Sequence, residues 1–178
     1  MASLIGHGAL GLLAARFGVP AARGRARALA AAGMVALSML PDADVVGFKL
    51  GIPYPDPFGH RGATHSFLFA AVAGALAALA VRSPRLAPWC MALIATHPLL
   101  DALTDGGLGV ALFWPLSDRR FFFPWRPIPV SPIGPGFLSA RGLRVALTEL
   151  VLFAPAYALA LWPSRAPRTP PPSPPAAW

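Results

Sequence analysis

The sequence has few of the residues on which soluble enzymes rely. Its 178 residues include one cysteine, seven acidic residues and only 12% charged residues, whereas soluble domains average about 25% charged residues. The single cysteine, Cys90, excludes a disulfide framework or a cysteine metal cluster within one chain. So few charges make a soluble surface free of apolar patches hard to build. The length excludes a large multidomain soluble enzyme.

Acidic residues are scarcer than basic ones, which gives a formal net charge of +8. In a soluble chain this excess would indicate a nucleic-acid partner. Here all but one of the 15 basic residues are arginines, and they form short clusters between apolar runs, as at 23–27 and 119–120. That distribution is typical of loops that face lipid headgroups. We therefore expect the lipid bilayer as a partner and no nucleic acid.

Five apolar runs rich in alanine and leucine dominate the chain and lack the alternation of strands. They cover residues 3–15, 28–40, 66–81, 86–103 and 145–162. Each is somewhat shorter than the roughly 20 residues that cross a 30 Å hydrocarbon core, so a soluble all-helical protein stays open as an alternative. The runs also lack the charged face of an amphipathic surface helix. The sequence thus predicts an all-α, multi-pass membrane protein with four to five apolar helices.

Two regions outside the apolar runs are rich in proline. Residues 113–137 interleave six prolines with aromatic side chains, which predicts either an ordered interfacial loop over the site or a plain connecting loop. Residues 163–178 contain seven prolines without apolar periodicity, which predicts a disordered tail. The predicted membrane-embedded domain is therefore residues 1–162.

All four histidines and most carboxylates lie at the ends of the apolar runs. Ionisable side chains at membrane depth are costly and usually mark function. His97 and Asp101 are four residues apart and so share one face of a helix. That spacing suits a metal ion, although a His–Asp hydrogen bond on a helix fits it equally. Threading the five runs through a bilayer brings these polar ends to one membrane face.

Two further motifs lie at the same face. Asp42 and Asp44 follow the second run in Leu-Pro-Asp-Ala-Asp and could bind a divalent ion, although a helix cap also fits them. His60 and His65 flank a short flexible stretch, in which Arg61 offers a planar donor fork suited to phosphate or carboxylate. Three such clusters at one face favour a metal centre over three separate caps.

The order of these motifs resembles the YdjM-type membrane-bound metal-dependent hydrolases, a family also described as LexA-binding, inner-membrane-associated hydrolases. The resemblance covers residues 1–162. It rests on His7, Leu-Pro-Asp42-x-Asp44, His60-Arg61-Gly62-x-Thr64-His65-Ser66, and His97-Pro-x-x-Asp101 followed by Thr104 and Asp105. It implies a multi-pass protein of the bacterial inner membrane with a hydrolytic metal site. More distantly, the order is similar to the zinc phospholipase C and P1 nuclease superfamily.

The distant resemblance implies a set of metal ligands. Asp42 or Asp44 would bind the first divalent ion, expected to be zinc, together with His65, His97 and Asp101. His7, sharing Asp101, would bind a second ion. The sequence departs from that superfamily because no histidine follows His97, so a complete three-metal cluster is not expected.

These observations predict a hydrolase that uses a metal-activated water on a phosphoester or other ester of a lipid or lipid-linked substrate. Whichever of Asp42 and Asp44 is not a ligand is the candidate general base, and Asp44 is our choice. His60 is the candidate acid, and Arg61 would neutralise charge on a phosphoryl oxygen. The alternative is a non-enzymatic membrane adaptor or transporter, although helix ends suit an interfacial site better than a transporter's mid-bilayer site.

Overall fold

The computed structural model describes residues 1–19 and 24–163, and the regular structure within them is helical. Its α-helices are α1 Leu4–Gly18, α2 Gly24–Ser38, α3 Val46–Lys49, α4 Phe67–Ala80, α5 Ala87–Ala102 and α6 Ala140–Leu161. All but the short α3 correspond to the predicted apolar runs. β-structure in the described ranges is limited to two isolated bridges, so the all-α class is confirmed. The tail predicted for residues 163–178 lies, beyond its first residue, outside those ranges.

Serine side chains set the first turn of three helices. Ser3, Ser66 and Ser139 accept hydrogen bonds from backbone amides at the start of α1, α4 and α6, respectively. Each hydroxyl oxygen satisfies an amide that has no acceptor within the helix. The Ala- and Leu-rich residues that follow have high helix propensity and continue the helix.

Helix α1 packs against α2, α5 and α6, and α4 packs along α5. Glycines allow the closest approaches. A Cβ atom on Gly11 of α1 would lie 2.7 Å from Cα of Val35 on α2, and one on Gly74 of α4 would lie 2.5 Å from the amide nitrogen of Met91 on α5. Helix backbones in such close contact leave no room for a side chain, so both positions require glycine.

Helix α6 has 22 residues and is therefore about 33 Å long. Within the described ranges it is the one helix long and apolar enough to cross a membrane. Helix α2 and Leu40–Lys49 meet the same criteria only as a single span bent by 53°, and α1 and α4 are apolar but shorter. The predicted four to five spans are therefore not confirmed, because turns end most of the helices before they reach spanning length.

Four helix ends meet at one end of the bundle. The Ala2 amide, just before α1, donates to the Asp101 carboxylate near the end of α5 at 2.7 Å. His97 of α5 bonds the carbonyl of Ser38, the last residue of α2, also at 2.7 Å. Two 3-10 turns complete this end, Leu40–Val45 after α2 and Ala63–His65 before α4. The histidines and carboxylates of the sequence motifs lie here.

Residues 113–137 form an irregular loop that is anchored at the same end. The Phe123 amide donates to the carbonyl of Ala102, the last residue of α5, at 2.9 Å. The guanidinium of Arg120 donates to the His60 carbonyl at 3.0 Å. The loop is thus tied both to α5 and to the segment that carries His60.

Candidate metal centre

Four side chains from three segments converge at this end of the bundle. They are Asp42 in the 3-10 turn after α2, His65 before α4, and His97 and Asp101 one turn apart on α5. One potential ligand atom from each residue lies within 4.8 Å of the others, and all four side chains are buried. The i, i+4 spacing on α5 aims both of its side chains at the same point.

The converging atoms lack hydrogen-bond partners within the described residues. This holds for both carboxylate oxygens of Asp42, Nε2 of His65 and His97, and Oδ2 of Asp101. Nε2 of His97 lies 3.3 Å from Oδ1 of Asp42, and Nε2 of His65 lies 3.5 Å from the same oxygen. Buried polar atoms without partners cost free energy. Their inward convergence therefore fits a bound cation.

The opposite ring nitrogens fix the tautomers of both histidines. Nδ1 of His97 lies 2.7 Å from the Ser38 carbonyl, which can only accept, so Nδ1 carries the proton. Nδ1 of His65 lies 3.1 Å from the Asp44 carboxylate. Each Nε2 is consequently free to present its lone pair to the cluster. This is the arrangement that supports metal-binding histidines in proteins.

His7 on α1 lies beside this four-residue group. Its Nε2 is 3.5 Å from Oδ1 of Asp101 and has no hydrogen-bond partner in the part of the chain described. The other carboxylate oxygen of Asp101 lies 3.5 Å from Nε2 of His65. Asp101 therefore presents one oxygen to His7 and the other to His65, as a carboxylate shared by two ions would.

Asp44, which the sequence could not separate from Asp42, lies behind His65. Its carboxylate accepts from the His60 ring at 2.7 Å, the Thr64 hydroxyl at 2.7 Å and the Arg61 amide at 3.1 Å. It also pairs with Nδ1 of His65 at 3.1 Å, so both of its oxygens already have partners. Asp44 thus orients two imidazoles rather than facing the point where the ligand atoms converge.

His60 forms the outer layer of the cluster. Its ring is buried against Tyr54, with 5.2 Å between ring centroids, and against Phe48, with 5.9 Å. Asp44, His60 and His65 form a second group of potential ligands. Because the Asp44 oxygens already accept hydrogen bonds, this group suits proton handling better than metal binding.

Arg61 is fully buried and has a left-handed backbone, with φ of 64°. Its Nε lies 3.1 Å from Oδ2 of Asp101, Nη2 donates to Thr104 Oγ1 at 3.0 Å, and Nη1 donates to the Gly106 carbonyl at 2.9 Å. All three nitrogens thus face the protein. The structure places this guanidinium against a ligand candidate and not at an open substrate surface.

The carboxylates around His65 give the cluster a negative charge that would favour a bound cation. Burial by itself lowers the pKa of His65, but the carboxylates of Asp101, Asp42 and Asp44 outweigh it and raise that pKa to about 10. A proton on His65 therefore offsets part of the negative charge when no ion is bound. A divalent ion would replace that proton, since metal-binding imidazole must be neutral.

Glu149 on α6 supports the site in a way the sequence analysis missed. Its buried carboxylate accepts from the Ser3 amide at 2.7 Å, the Ser3 hydroxyl at 2.5 Å and the Gly6 amide at 2.9 Å. These bonds fix the start of α1, which carries His7. The available signal was that Glu149 is the one acidic or basic residue in the apolar run 145–162. The Ser38 carbonyl gives no signal, because every residue has a carbonyl.

Comparisons with known proteins show where such chains are found. Residues 1–166 match the family described as YdjM inner membrane protein. The inner membrane protein YbcI of Escherichia coli (strain K12) is 42% identical over 127 residues, which cover 67% of this chain and 73% of that protein. No solved structure gives a match. These names indicate the inner membrane and state no activity.

Proposed function

This chain belongs to the YdjM inner membrane protein family, and from that premise we propose that it is a metal-dependent hydrolase of the inner membrane. The proposed substrate is a phosphoester or other ester of a lipid or lipid-linked molecule. One observation carries the proposal: the inward-facing atoms of His7, Asp42, His65, His97 and Asp101 lack hydrogen-bond partners within the described residues. Such atoms, in a cluster of this charge, fit a bound cation.

Asp42, His65, His97 and Asp101 would hold the first divalent ion. Their imidazole nitrogens and carboxylate oxygens suit zinc. His7, together with Asp101, would hold a second. When bound, such an ion lowers the pKa of water and withdraws electrons from the ester, which is the chemistry that hydrolysis needs.

Asp44 and Arg61 act through their neighbours in this proposal. Asp44 holds Nδ1 of His65 and of His60, and its occupied oxygens make it a positioning residue instead of the general base expected from the sequence. Arg61 holds Asp101 in place by an ion pair at 3.1 Å. His60 stays the candidate acid in this proposal, because the Asp44 carboxylate, 2.7 Å from its Nδ1, holds its ring in one orientation.

The surface at this end of the bundle supports a lipid substrate. Exposed Arg119 stacks over the ring of Phe121 at 5.5 Å, and exposed Arg126 stacks over Phe122 at 5.0 Å. Arginine beside aromatic rings suits the headgroup layer, where anionic lipids meet apolar side chains. The partner of this surface is therefore proposed to be the bilayer.

Metal content and hydrolysis of the full chain, purified in detergent, test the proposal. We expect about one or two equivalents of zinc per chain, and hydrolysis of bis(p-nitrophenyl) phosphate, p-nitrophenyl butyrate or phosphatidylglycerol. His97→Ala should lose both metal and hydrolysis. His60→Gln should keep the metal but hydrolyse more slowly, and Arg85→Gln, at an exposed position between α4 and α5, is the surface control.

Two results would contradict the proposal. One is a purified chain without stoichiometric metal. The other is a His97→Ala variant that keeps both metal and hydrolysis. Stoichiometric metal without hydrolysis of any of the three probes would instead favour the non-enzymatic adaptor or transporter.

A further inference from the structure

An open apolar groove of about 170 Å³ lies between α1 and α5. Leu10, Leu13 and Phe17 line it from α1, and Trp89, Ala92 and Thr96 line it from α5. The one hydroxyl among these six side chains, that of Thr96, donates to the Leu93 carbonyl at 2.7 Å. The surface offered to an occupant is therefore apolar. We refer to it as the α1–α5 groove.

The α1–α5 groove begins one helical turn from the candidate metal centre. Leu10 is three residues after His7 on α1, and Thr96 immediately precedes His97 on α5. From Leu10 to Phe17 the groove follows α1 for about 10 Å. The other end of the groove is closed by contact between the helices, because a Cβ atom on Gly18 would lie 2.6 Å from the Trp89 ring.

Helix α6 sets the depth of the groove in the bilayer. It runs alongside α1 in the same direction, since Glu149 bonds the start of α1 and Arg16 near its end donates to the Ala160 carbonyl at 3.3 Å. If exposed Arg144 lies in a headgroup layer, as arginines at helix ends do, Glu149 follows five residues later, or about 8 Å deeper. That orientation would put the centre just below the headgroups and the groove in the hydrocarbon layer.

We propose that the α1–α5 groove binds an acyl chain of a bilayer glycerophospholipid, with the lipid headgroup at the level of the His/Asp centre. The inference rests on the proposed function for the identity of that headgroup as substrate. The groove has the chemistry of an acyl-chain site, because an apolar surface in the hydrocarbon layer favours an apolar occupant. The groove also runs away from the centre in the direction that acyl chains take, since the chains of a lipid extend inward from its headgroup.

Photolabelling of the full chain in phosphatidylethanolamine vesicles tests the inference. The probe is phosphatidylglycerol with a diazirine in the middle of one acyl chain, and mass spectrometry locates the labelled residues. We expect labelling of Phe17 and Trp89 to exceed that of Leu147 and Val151, on the exposed face of α6, by about tenfold, the ratio that about 1.4 kcal/mol of preference gives. Equal labelling of both sets would overturn the inference.

A matched pair of variants isolates the groove. Ala92→Phe fills it from an exposed position and should remove most of the groove labelling. Ala75→Phe adds the same side chain at an exposed position of α4, outside the groove, and should leave labelling unchanged. If Ala92→Phe fails to fold, the comparison of groove and α6 labelling in the unmodified chain still tests the inference. Groove cross-links to a second copy of the chain, in place of lipid, would also overturn the inference.

The same experiment separates this inference from the proposed function. Groove labelling in a chain that hydrolyses none of the ester probes supports the acyl-chain site and contradicts the hydrolase. Hydrolysis of bis(p-nitrophenyl) phosphate without preferential groove labelling supports the hydrolase and contradicts the acyl-chain site. His97→Ala should keep groove labelling, because the groove side chains do not include that residue.

Discussion

The imidazole rings of His7 and His97 stack face to face, with their centroids 3.7 Å apart and their planes 8° apart. The rings come from α1 and α5 and bring two inward-facing Nε2 atoms close to Asp101 and Asp42, respectively. The stack therefore fixes the relative position of the two imidazoles at the candidate metal centre.

A His7→Phe variant separates stacking from metal binding. Phenylalanine keeps an aromatic ring against His97 but removes Nε2. We expect a loss of bound metal with a change in stability below about 1.5 kcal/mol. Elemental analysis and thermal unfolding of the same preparation measure the two effects. Full metal content in this variant would show that His7 is not a ligand.

Asp44→Asn tests the orienting role of Asp44. The amide keeps the shape of the carboxylate but loses the charge that holds Nδ1 of His65, so metal affinity should fall about 10- to 100-fold. Competition with a chelator of known affinity measures this. Asp118→Asn, at an exposed position, is the control and should bind metal like the unmodified chain. Unchanged affinity in Asp44→Asn would argue against the assigned role.

Arg61→Lys should disrupt the ligand that Arg61 supports. A lysine keeps the positive charge but cannot reach Asp101, Thr104 and the Gly106 carbonyl at the same time, as the guanidinium does. We expect lower metal affinity and slower hydrolysis, while the exposed control Arg85→Lys, between α4 and α5, changes neither. A variant that retains both properties would show that charge alone suffices.

Removing the metal with a chelator should destabilise the fold. A ligand that binds the folded state at 100 times its Kd adds about 2.7 kcal/mol of stability. We therefore expect a lower Tm after chelation, and its recovery on adding zinc. His97→Ala should show no such response. A Tm independent of chelator in the unmodified chain would contradict a resident ion.

Glu149→Ala should destabilise the junction of α1 and α6. The substitution leaves the Ser3 and Gly6 amides and the Ser3 hydroxyl without the acceptor they now share, at a cost of about 2 kcal/mol or more. Leu150→Ala, at the next and exposed position, is the control. Thermal unfolding in detergent measures both, and equal Tm values would show that the cap contributes little.

The helices could be predicted from the sequence because composition determines them locally. The run 66–81 became Phe67–Ala80 and the run 86–103 became Ala87–Ala102, each within one residue at both ends. Alanine and leucine favour the helix, and Ser66 marks a start. The number of spans could not be predicted, because these runs are near the minimum length and membrane crossing depends on how the helices tilt and pack.

The candidate site could be predicted only in part. The pairing of His97 with Asp101 follows from helical periodicity, which is a local property. Asp42 and Asp44 are two residues apart in one 3-10 turn, so their different directions depend on backbone angles that composition does not encode. The direction of the Arg61 side chain likewise depends on its positive φ, a backbone conformation that non-glycine residues seldom adopt.

The bond between Ser3 and Glu149 also has a consequence for the biogenesis of the protein. It joins residues 146 positions apart, so the start of α1 leaves the ribosome long before its acceptor is made. At the usual rate of 5–20 residues per second, the delay is about 7–30 s. During that interval the first apolar helix is already available to the insertion machinery. The bonds that fix the start of α1, and with it the position of His7, can therefore form only after Glu149 of α6 has been made.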